Sequence, residues 1–469
     1  MDQTLTDKTR LAPPAAGDLL TLGFGTTVAM WTMGYAGWAL SDIVPGWLTV
    51  ALMTLCLLCG GWLTGRLTGR GWRGGLCVGL LVAVLNLLIL GSLVEDRGEH
   101  APPTALWLPG TILAMCLLAT ATAALGSRFA TPSRLDPIDW TFRFTVTAIA
   151  ATGLLLLAGG LVTGREAGLA VPDWPRSYGY NMFFYPLTKM KGNIYYEHAH
   201  RLLGSLVGLT TIALAAHLWM AERRRWLRWL ALAAVVAVIA QGVMGGYRVA
   251  LADGSGAQVA SPQNETTASS MLRVAHGVSA QLFLALMAAI AAATSRTWRS
   301  AWGAAPGASR PLSIVLLALL LIQLLLGALL RHLNQALMLH VAFAAMVLLA
   351  ALATGASLLT AQPRPAALRR LGIVLMAIVT VQVLLGITAL IFRASSEGAP
   401  HPTTADVVST TAHQLTGAAL LAIATATALL VHRLSSGRAG QGDSHPREPY
   451  HGSTSLAQRD NRTKAENVA

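Results

Sequence analysis

The chain has 469 residues, of which 54% are hydrophobic and only 12% are charged. Soluble domains carry roughly 25% charged residues, so this composition excludes an ordinary soluble domain and indicates a chain that lies mostly in lipid. The net charge of +13 does not indicate nucleic-acid binding, because the basic residues are concentrated in alternate loops between apolar runs.

Apolar runs of about 20 residues, the length that crosses a bilayer, recur along the whole chain. Twelve are predicted, at residues 19–40, 46–65, 75–94, 106–127, 142–164, 200–220, 227–248, 270–295, 311–331, 334–359, 369–392 and 406–434. The sequence therefore predicts an all-α polytopic membrane protein with about twelve transmembrane helices.

The loops between these runs differ in charge. Basic stretches such as "GRLTGRGWR" (65–73) and "ERRRWLR" (222–228) alternate with acidic or neutral ones such as "EDRGEH" (95–100) and "SSEGAPHPTTAD" (395–406). Basic loops stay on the cytoplasmic side, so both termini are predicted to be cytoplasmic. We expect a multi-pass protein of the bacterial plasma (inner) membrane.

A glutamine followed by a glycine four residues later recurs in three of the predicted helices. The pairs are Gln241 and Gly245, Gln323 and Gly327, and Gln382 and Gly386, and we expect Leu156 and Gly160 to take the same place in the helix at 142–164.

Each of the four following helices carries a histidine near its outer end: His200, His276, His340 and His413. The first two are 76 residues apart and the last two 73. The pattern predicts two pseudo-symmetric four-helix bundles. The predicted domains are an appended four-helix membrane domain of unknown role at 1–140, a first bundle at 141–297, a second bundle at 298–434 and a disordered cytoplasmic tail at 435–469.

The segment "YYEHAHR" (195–201) opens the first histidine helix. Residues three or four apart share a helix face, so Glu197, His200 and Arg201 are predicted to lie together. His198 is rotated by about 200° from His200, and we expect it to reach lipid headgroups or water.

Two histidines in each bundle suit the two axial positions of a haem iron, whereas a bare zinc or copper ion usually takes three or four ligands. A small residue one turn after each histidine, as at Gly204 and Gly417, would leave room for a flat macrocycle. Close helix packing through small residues remains an alternative explanation, as does a packing role for the histidines.

Charged residues accompany only the first histidine pair. Glu197, Arg201 and Arg273 align with Leu337, Val341 and Thr410 of the second half. Because proton-coupled chemistry needs an acid or base within reach, this difference predicts one reactive pocket and one electron-transfer pocket. An interfacial ion pair between Glu197 and Arg201 is the alternative.

A predicted outer loop of about 30 residues (164–196), rich in aromatic residues and proline, precedes Glu197. It is long for a connection between membrane helices. It could act as a lid or substrate guide, or as an ordinary interfacial aromatic belt.

These elements resemble the haem A synthase family, which converts haem O to haem A for cytochrome oxidase assembly. The resemblance covers about residues 140–434 and is carried by "LLAGGLVTG" with "GLAVPDWP", by "EHAHR" (197–201), and by "RVAHG" (273–277), "LMLHV" (337–341) and "TTAHQ" (410–414).

The resemblance implies a haem-dependent oxidoreductase with haem b as cofactor and haem O as substrate. His340 and His413 would ligate haem b, and His200 and His276 would hold the substrate haem near the outer face. Glu197 would take part in oxidising the haem O methyl group to a formyl, while Arg201 and Arg273 would support the haem site.

Many members of that family have a cysteine pair in an outer loop, and this sequence places all four cysteines within the first quarter of the chain. The expected partners are haem O, haem A and membrane lipid, with a haem O synthase and an electron donor as further candidates. The sequence leaves the oligomeric state open, and an oligomer is among the alternatives. A non-catalytic di-haem cytochrome b and a haem transporter or chaperone remain alternative functions.

Overall fold

The computed structural model describes residues 16–95, 104–130, 138–252, 265–300, 309–360, 366–396, 398–399 and 401–436. The described chain is almost entirely helical. Its helices are α1 (Gly17–Ala39), α2 (Gly46–Thr68), α3 (Gly71–Glu95), α4 (Thr104–Ser127), α5 (Trp140–Gly164), α6 (Asn193–Ala221), α7 (Arg225–Ala250), α8 (Thr267–Thr294), α9 (Arg296–Ser300), α10 (Ser309–Leu333), α11 (Leu337–Thr360), α12 (Ala366–Ser395) and α13 (Thr404–Ser436).

The prediction of an all-α polytopic membrane protein is confirmed. Within the described residues, eleven helices are long and apolar enough to cross a membrane. Each of the twelve predicted runs coincides with a helix to within a few residues at most ends. The helix α1 has 23 residues but is not among the eleven candidate spans.

Helices α5 to α8 pack in a ring, each against the next, with α8 against α5. Helices α10 to α13 pack in the same order, with α13 closing against α10. The two rings meet where α13 contacts α5 and α8, and α10 contacts α8. This arrangement puts the four histidine-bearing helices in alternate positions of two adjacent rings; a pseudo-symmetric relation between the rings stays a prediction.

Two of the four helices that precede the first ring, α1 and α3, pack against it. Phe24 of α1 lies 5.5 Å from Phe144 of α5 between ring centres, and residues of α1 and α3 share one hydrophobic core with α5 to α8. The second ring has a separate core that includes Leu316, Val347 and Leu375. The appended helices therefore contact the part of the protein that carries His200.

Small residues allow α2 and α4 to approach closely. A side chain at Gly61 or Gly65 of α2 would collide with the backbone of Ala119 or Ala123 of α4, an arrangement in which small residues let helix backbones pack tightly in lipid. The predicted domain boundaries remain predictions. Most of the predicted tail, 437–469, and the loop residues 96–100 lie outside the described residues.

Candidate functional site

The four histidines predicted to bind haem iron form two pairs of similar geometry. The ring centres of His200 and His276 are 6.4 Å apart and their planes are inclined by 78°. The rings of His340 and His413 are 6.2 Å apart, also at 78°. Each pair joins alternate helices of its ring, α6 with α8 and α11 with α13.

These separations fit two imidazoles on opposite sides of one metal ion. Metal-to-nitrogen distances of about 2.0–2.1 Å, with about 1.2 Å from nitrogen to ring centre, give ring centres about 6.5 Å apart. Within the described residues, no group of three or more His, Cys, Asp or Glu side chains could hold a bare metal ion. The donor set therefore suits an iron whose other four ligands come from a porphyrin.

Space beside the first pair also fits a macrocycle. Gly204 and Gly208 lie one and two turns beyond His200, and a Cβ atom at either position would meet no other atom within 4 Å. Gly417, in the corresponding place after His413, is covered by Gln382, whose Nε2 would lie 2.9 Å from such a Cβ. Of the two glycines, Gly204 therefore has the open space that was predicted, and at Gly417 the Gln382 side chain occupies it.

Each histidine packs its Cε1 edge against a glycine of the preceding helix. The distances from Cε1 to a Cβ placed on that glycine are 3.0 Å for His200 with Gly159, 3.5 Å for His276 with Gly245, 3.1 Å for His340 with Gly327 and 2.9 Å for His413 with Gly386. At Gly159, Gly327 and Gly386 a Cβ would press on the imidazole, whereas at Gly245 it would make an ordinary van der Waals contact.

This contact corrects the repeat in the first helix. The predicted equivalent of the glutamine-glycine pairs was Leu156 with Gly160, but Gly160 packs against Thr411 of α13. The glycine that contacts His200 is Gly159, so Leu155 takes the glutamine position. Because Gly159 and Gly160 are consecutive, the sequence allows either one to be the glycine of the repeat. The structure decides between them, since Gly159 faces His200 and Gly160 faces Thr411.

The repeated glutamines lie beside the imidazoles. Nδ1 of His413 donates to the carbonyl of Gln382 at 3.1 Å, which leaves Nε2 with the lone pair that a metal requires. Nε2 of the Gln323 side chain lies 3.2 Å from Nδ1 of His340. Nε2 of Gln382 lies 3.4 Å from Nε2 of His413, so this amide must turn aside when a metal binds there.

Glu197 and Arg201 form a buried ion pair of 2.6 Å, so the ion pair considered as an alternative is present. Glu197 is only 4% exposed, and its other carboxylate oxygen accepts from the backbone N–H of Val171 at 2.7 Å. Arg201 also donates to the carbonyls of Val171, Asp173 and Arg176. Arg201 therefore fixes the outer loop over Glu197, and its two terminal nitrogens are fully used.

The prediction for His198 is wrong. Its side chain is fully buried, its Nδ1 lies 3.0 Å from the Ser177 hydroxyl, and its ring lies 4.9 Å from that of Tyr185. It points away from His200, as helix geometry requires, but the folded outer loop covers that face. A loop that folds back on its own helix is not visible in the helix periodicity.

The outer loop is an ordered cover. It contains a hairpin in which Arg176–Ser177 pairs with Tyr180–Asn181, and Tyr178 and Gly179 at its turn both have positive φ, as a tight hairpin turn requires. The Asp173 carboxylate accepts from both turn N–H groups. Burial first, and then the carboxylates of Glu197 and Asp173, raise the pKa of Tyr178.

The sequence reasoning missed several charged residues between the two rings. Glu265 bridges Arg248 and Arg273 at 3.3 and 3.0 Å. Arg331 and His332 at the end of α10 reach the first ring, where Arg331 donates to the carbonyl of Gly160. Asp406, which ends the predicted loop 395–406 and begins the predicted run 406–434, is 4% exposed in the first turn of α13; the helix that carries His413 therefore also carries a buried carboxyl group.

Comparison with known proteins identifies one family. Residues 142–341 match the family model COX15-CtaA, described as cytochrome oxidase assembly protein. No curated protein and no solved structure matches the chain. The matched segment holds Glu197, His200, His276 and His340, while α1 to α4 and His413 lie outside it. The match confirms the resemblance inferred from the sequence over residues 142–341, 200 of the 469 residues, and this segment is similar to the COX15-CtaA family of cytochrome oxidase assembly proteins.

Proposed function

We propose that the protein is a haem A synthase, which oxidises a methyl group of haem O to the formyl group of haem A. The family match implies a role in cytochrome oxidase assembly. The observation that carries the finer assignment is the difference between the two histidine pairs: in the part of the chain that the structure describes, only the first lies beneath a loop that is held by a buried carboxylate and guanidinium.

In this proposal the first pair, His200 and His276, holds the substrate haem, and the second pair, His340 and His413, holds a permanent haem b. When bound, the haem groups supply the redox chemistry of the methyl oxidation and the electron transfer. The chain supplies the imidazole ligands, and the outer loop keeps water from the first pocket.

The role proposed for Glu197 follows from its position. Oxidation of a methyl group releases protons, so a proton acceptor near the pocket is required. Glu197 lies one turn from His200 on the same helix face, and Arg201 and the Val171 N–H stabilise its carboxylate form. A carboxylate held in this way can receive a proton without leaving its place.

A second candidate, a di-haem cytochrome b that only carries electrons, is favoured by one observation. The two pairs have almost the same separation and the same angle, and an electron carrier needs nothing more. In that case the ion pair of Glu197 and Arg201 would serve only to hold the loop.

The experiment that separates the two functions is haem extraction from membranes that contain the protein together with a haem O synthase. We expect haem A with the unchanged protein and haem O with Glu197→Gln. The matched control is Glu166→Gln, which changes an exposed carboxylate of the same outer loop and is expected to leave haem A formation intact. Haem O and haem b without any haem A, for the unchanged protein as well as for Glu197→Gln, would support the electron carrier.

A further inference from the structure

A group of basic side chains lies between the two rings at their outer ends. His332 of α10 packs against α8, where its Nε2 would lie 2.9 Å from a Cβ on Gly277, the residue after His276. Arg273 of α8 donates to the backbone carbonyl of His332 at 2.9 Å. Arg331, its neighbour, packs against Gly164 of α5. We call Arg273, Arg331 and His332 the basic cleft.

Each member of the basic cleft has a buried nitrogen without a hydrogen-bond partner. These atoms are Nε of Arg273, Nε of Arg331 and Nδ1 of His332. Among the described residues, the Arg331 guanidinium makes one hydrogen bond, a long one of 3.3 Å to the Gly160 carbonyl. Buried donors without partners cost about 1–3 kcal/mol each, so the two guanidinium Nε–H groups, of Arg273 and Arg331, indicate a site for an acceptor.

The charges around the basic cleft also leave room for an anion. Glu265 is shared by Arg248 and Arg273, and Asp406 lies within electrostatic range of Arg331 without an ion pair between them in the described structure. Among these side chains three guanidinium groups therefore face two carboxylates. A buried charge without a partner is unfavourable. An added carboxylate would make the numbers of carboxylate and guanidinium groups equal, although its negative charge would also repel Asp406.

We propose that the basic cleft binds a carboxylate of a porphyrin seated on one of the histidine pairs. The inference rests on the proposed haem binding. In this proposal α10, a helix of the second ring, contributes carboxylate-binding side chains beside His276 of the first ring. Arginine suits this role because its planar fork donates two parallel hydrogen bonds to a carboxylate.

The test compares two probes with the full-length protein produced under haem depletion: iron protoporphyrin IX, and its dimethyl ester, which lacks the carboxylates. Binding is followed by the absorption of the bis-imidazole complex. We expect the free acid to bind at least about tenfold more tightly than the ester, as expected for the loss of one charge-assisted hydrogen bond. Arg331→Gln should remove most of this preference.

The matched control is Arg176→Gln, an exposed arginine on the same outer side, which should keep the preference. If Arg331→Gln does not fold, Arg331→Lys retains the charge without the fork and should give an intermediate preference. Repeating the titration with His276→Ala and with His340→Ala shows which porphyrin is concerned, and loss of the preference with either one identifies that pair.

Two results overturn the inference while leaving the proposed function intact: equal affinity of the unchanged protein for acid and ester, or an unchanged preference in Arg331→Gln. A different result, no bis-imidazole absorption with either probe, contradicts the proposed haem binding itself and with it the basis of the inference.

Discussion

The phenolic hydroxyl of Tyr195, in the first turn of α6, donates a hydrogen bond of 2.7 Å to the backbone carbonyl of Tyr35 in α1. The two rings stack with their centres 5.5 Å apart, and Trp38 also stacks on Tyr195 at 6.0 Å. Because Tyr195 precedes Glu197 by two residues, the appended helices are attached directly to the segment that begins the candidate site.

Substitution Tyr195→Phe is expected to lower the free energy of unfolding by about 0.5–1.5 kcal/mol, since it removes one buried hydrogen bond and keeps the stacked ring. The measurement is the thermal unfolding midpoint of the purified protein in detergent. The control is Tyr247→Phe in α7, where the side chain is 57% exposed. Equal midpoints for both variants would mean that the hydrogen bond from Tyr195 to Tyr35 contributes nothing to stability.

We expect alanine substitutions of the histidines to fall into two groups by their effect on the haem absorption spectrum. His340→Ala and His413→Ala are expected to remove the low-spin absorption of the permanent haem, because an iron with one axial imidazole loses the bis-imidazole spectrum. His198→Ala should retain that spectrum, since its imidazole lies under the outer loop beside Ser177 and Tyr185. The measurement is the reduced-minus-oxidised difference spectrum of the purified protein.

The outcome of that series is informative in both directions. A spectrum that survives His340→Ala excludes this residue as a ligand of the permanent haem. A spectrum lost equally in His198→Ala indicates that any buried histidine near the loop disturbs the fold, and the assignment of ligands then needs another measurement.

The ion pair of Glu197 and Arg201 can be separated from catalysis by a double substitution. Removing one partner of a buried pair costs about 3–5 kcal/mol, because the other charge stays buried. We expect Glu197→Gln and Arg201→Gln each to destabilise the protein strongly, and the double variant to be more stable than the sum of both changes predicts. Unfolding midpoints measure this part.

Haem A formation by the same double variant then decides the role of the carboxylate. If Glu197 accepts protons, the double variant is inactive, whereas Arg201→Gln, which loses the same contacts to the outer loop but keeps the carboxylate, retains part of its activity. Activity that returns together with stability would show that the carboxylate serves only to hold the outer loop.

Sequence periodicity was sufficient for some parts of this site and insufficient for others. The helix bounds and the pairing of His200 with His276 follow from apolar runs and from spacing, which are local properties. The burial of His198 depends on the outer loop that folds over it. The burial of Asp406 and the reach of Arg331 into the first ring depend on contacts between helices far apart in sequence, which no periodicity in one helix contains.

The glycines behind the imidazoles give the last prediction. A methyl group at Gly386 would lie 2.9 Å from Cε1 of His413, so Gly386→Ala should push this ring and weaken or shift the low-spin haem absorption. The control is Gly153→Ala, because a Cβ there meets nothing within 4 Å and alanine favours a helix by about 1 kcal/mol over glycine. Absorption spectra and haem-to-protein ratios measure the effect. An unchanged spectrum in Gly386→Ala would mean that the contact between glycine and imidazole does not fix the ligand.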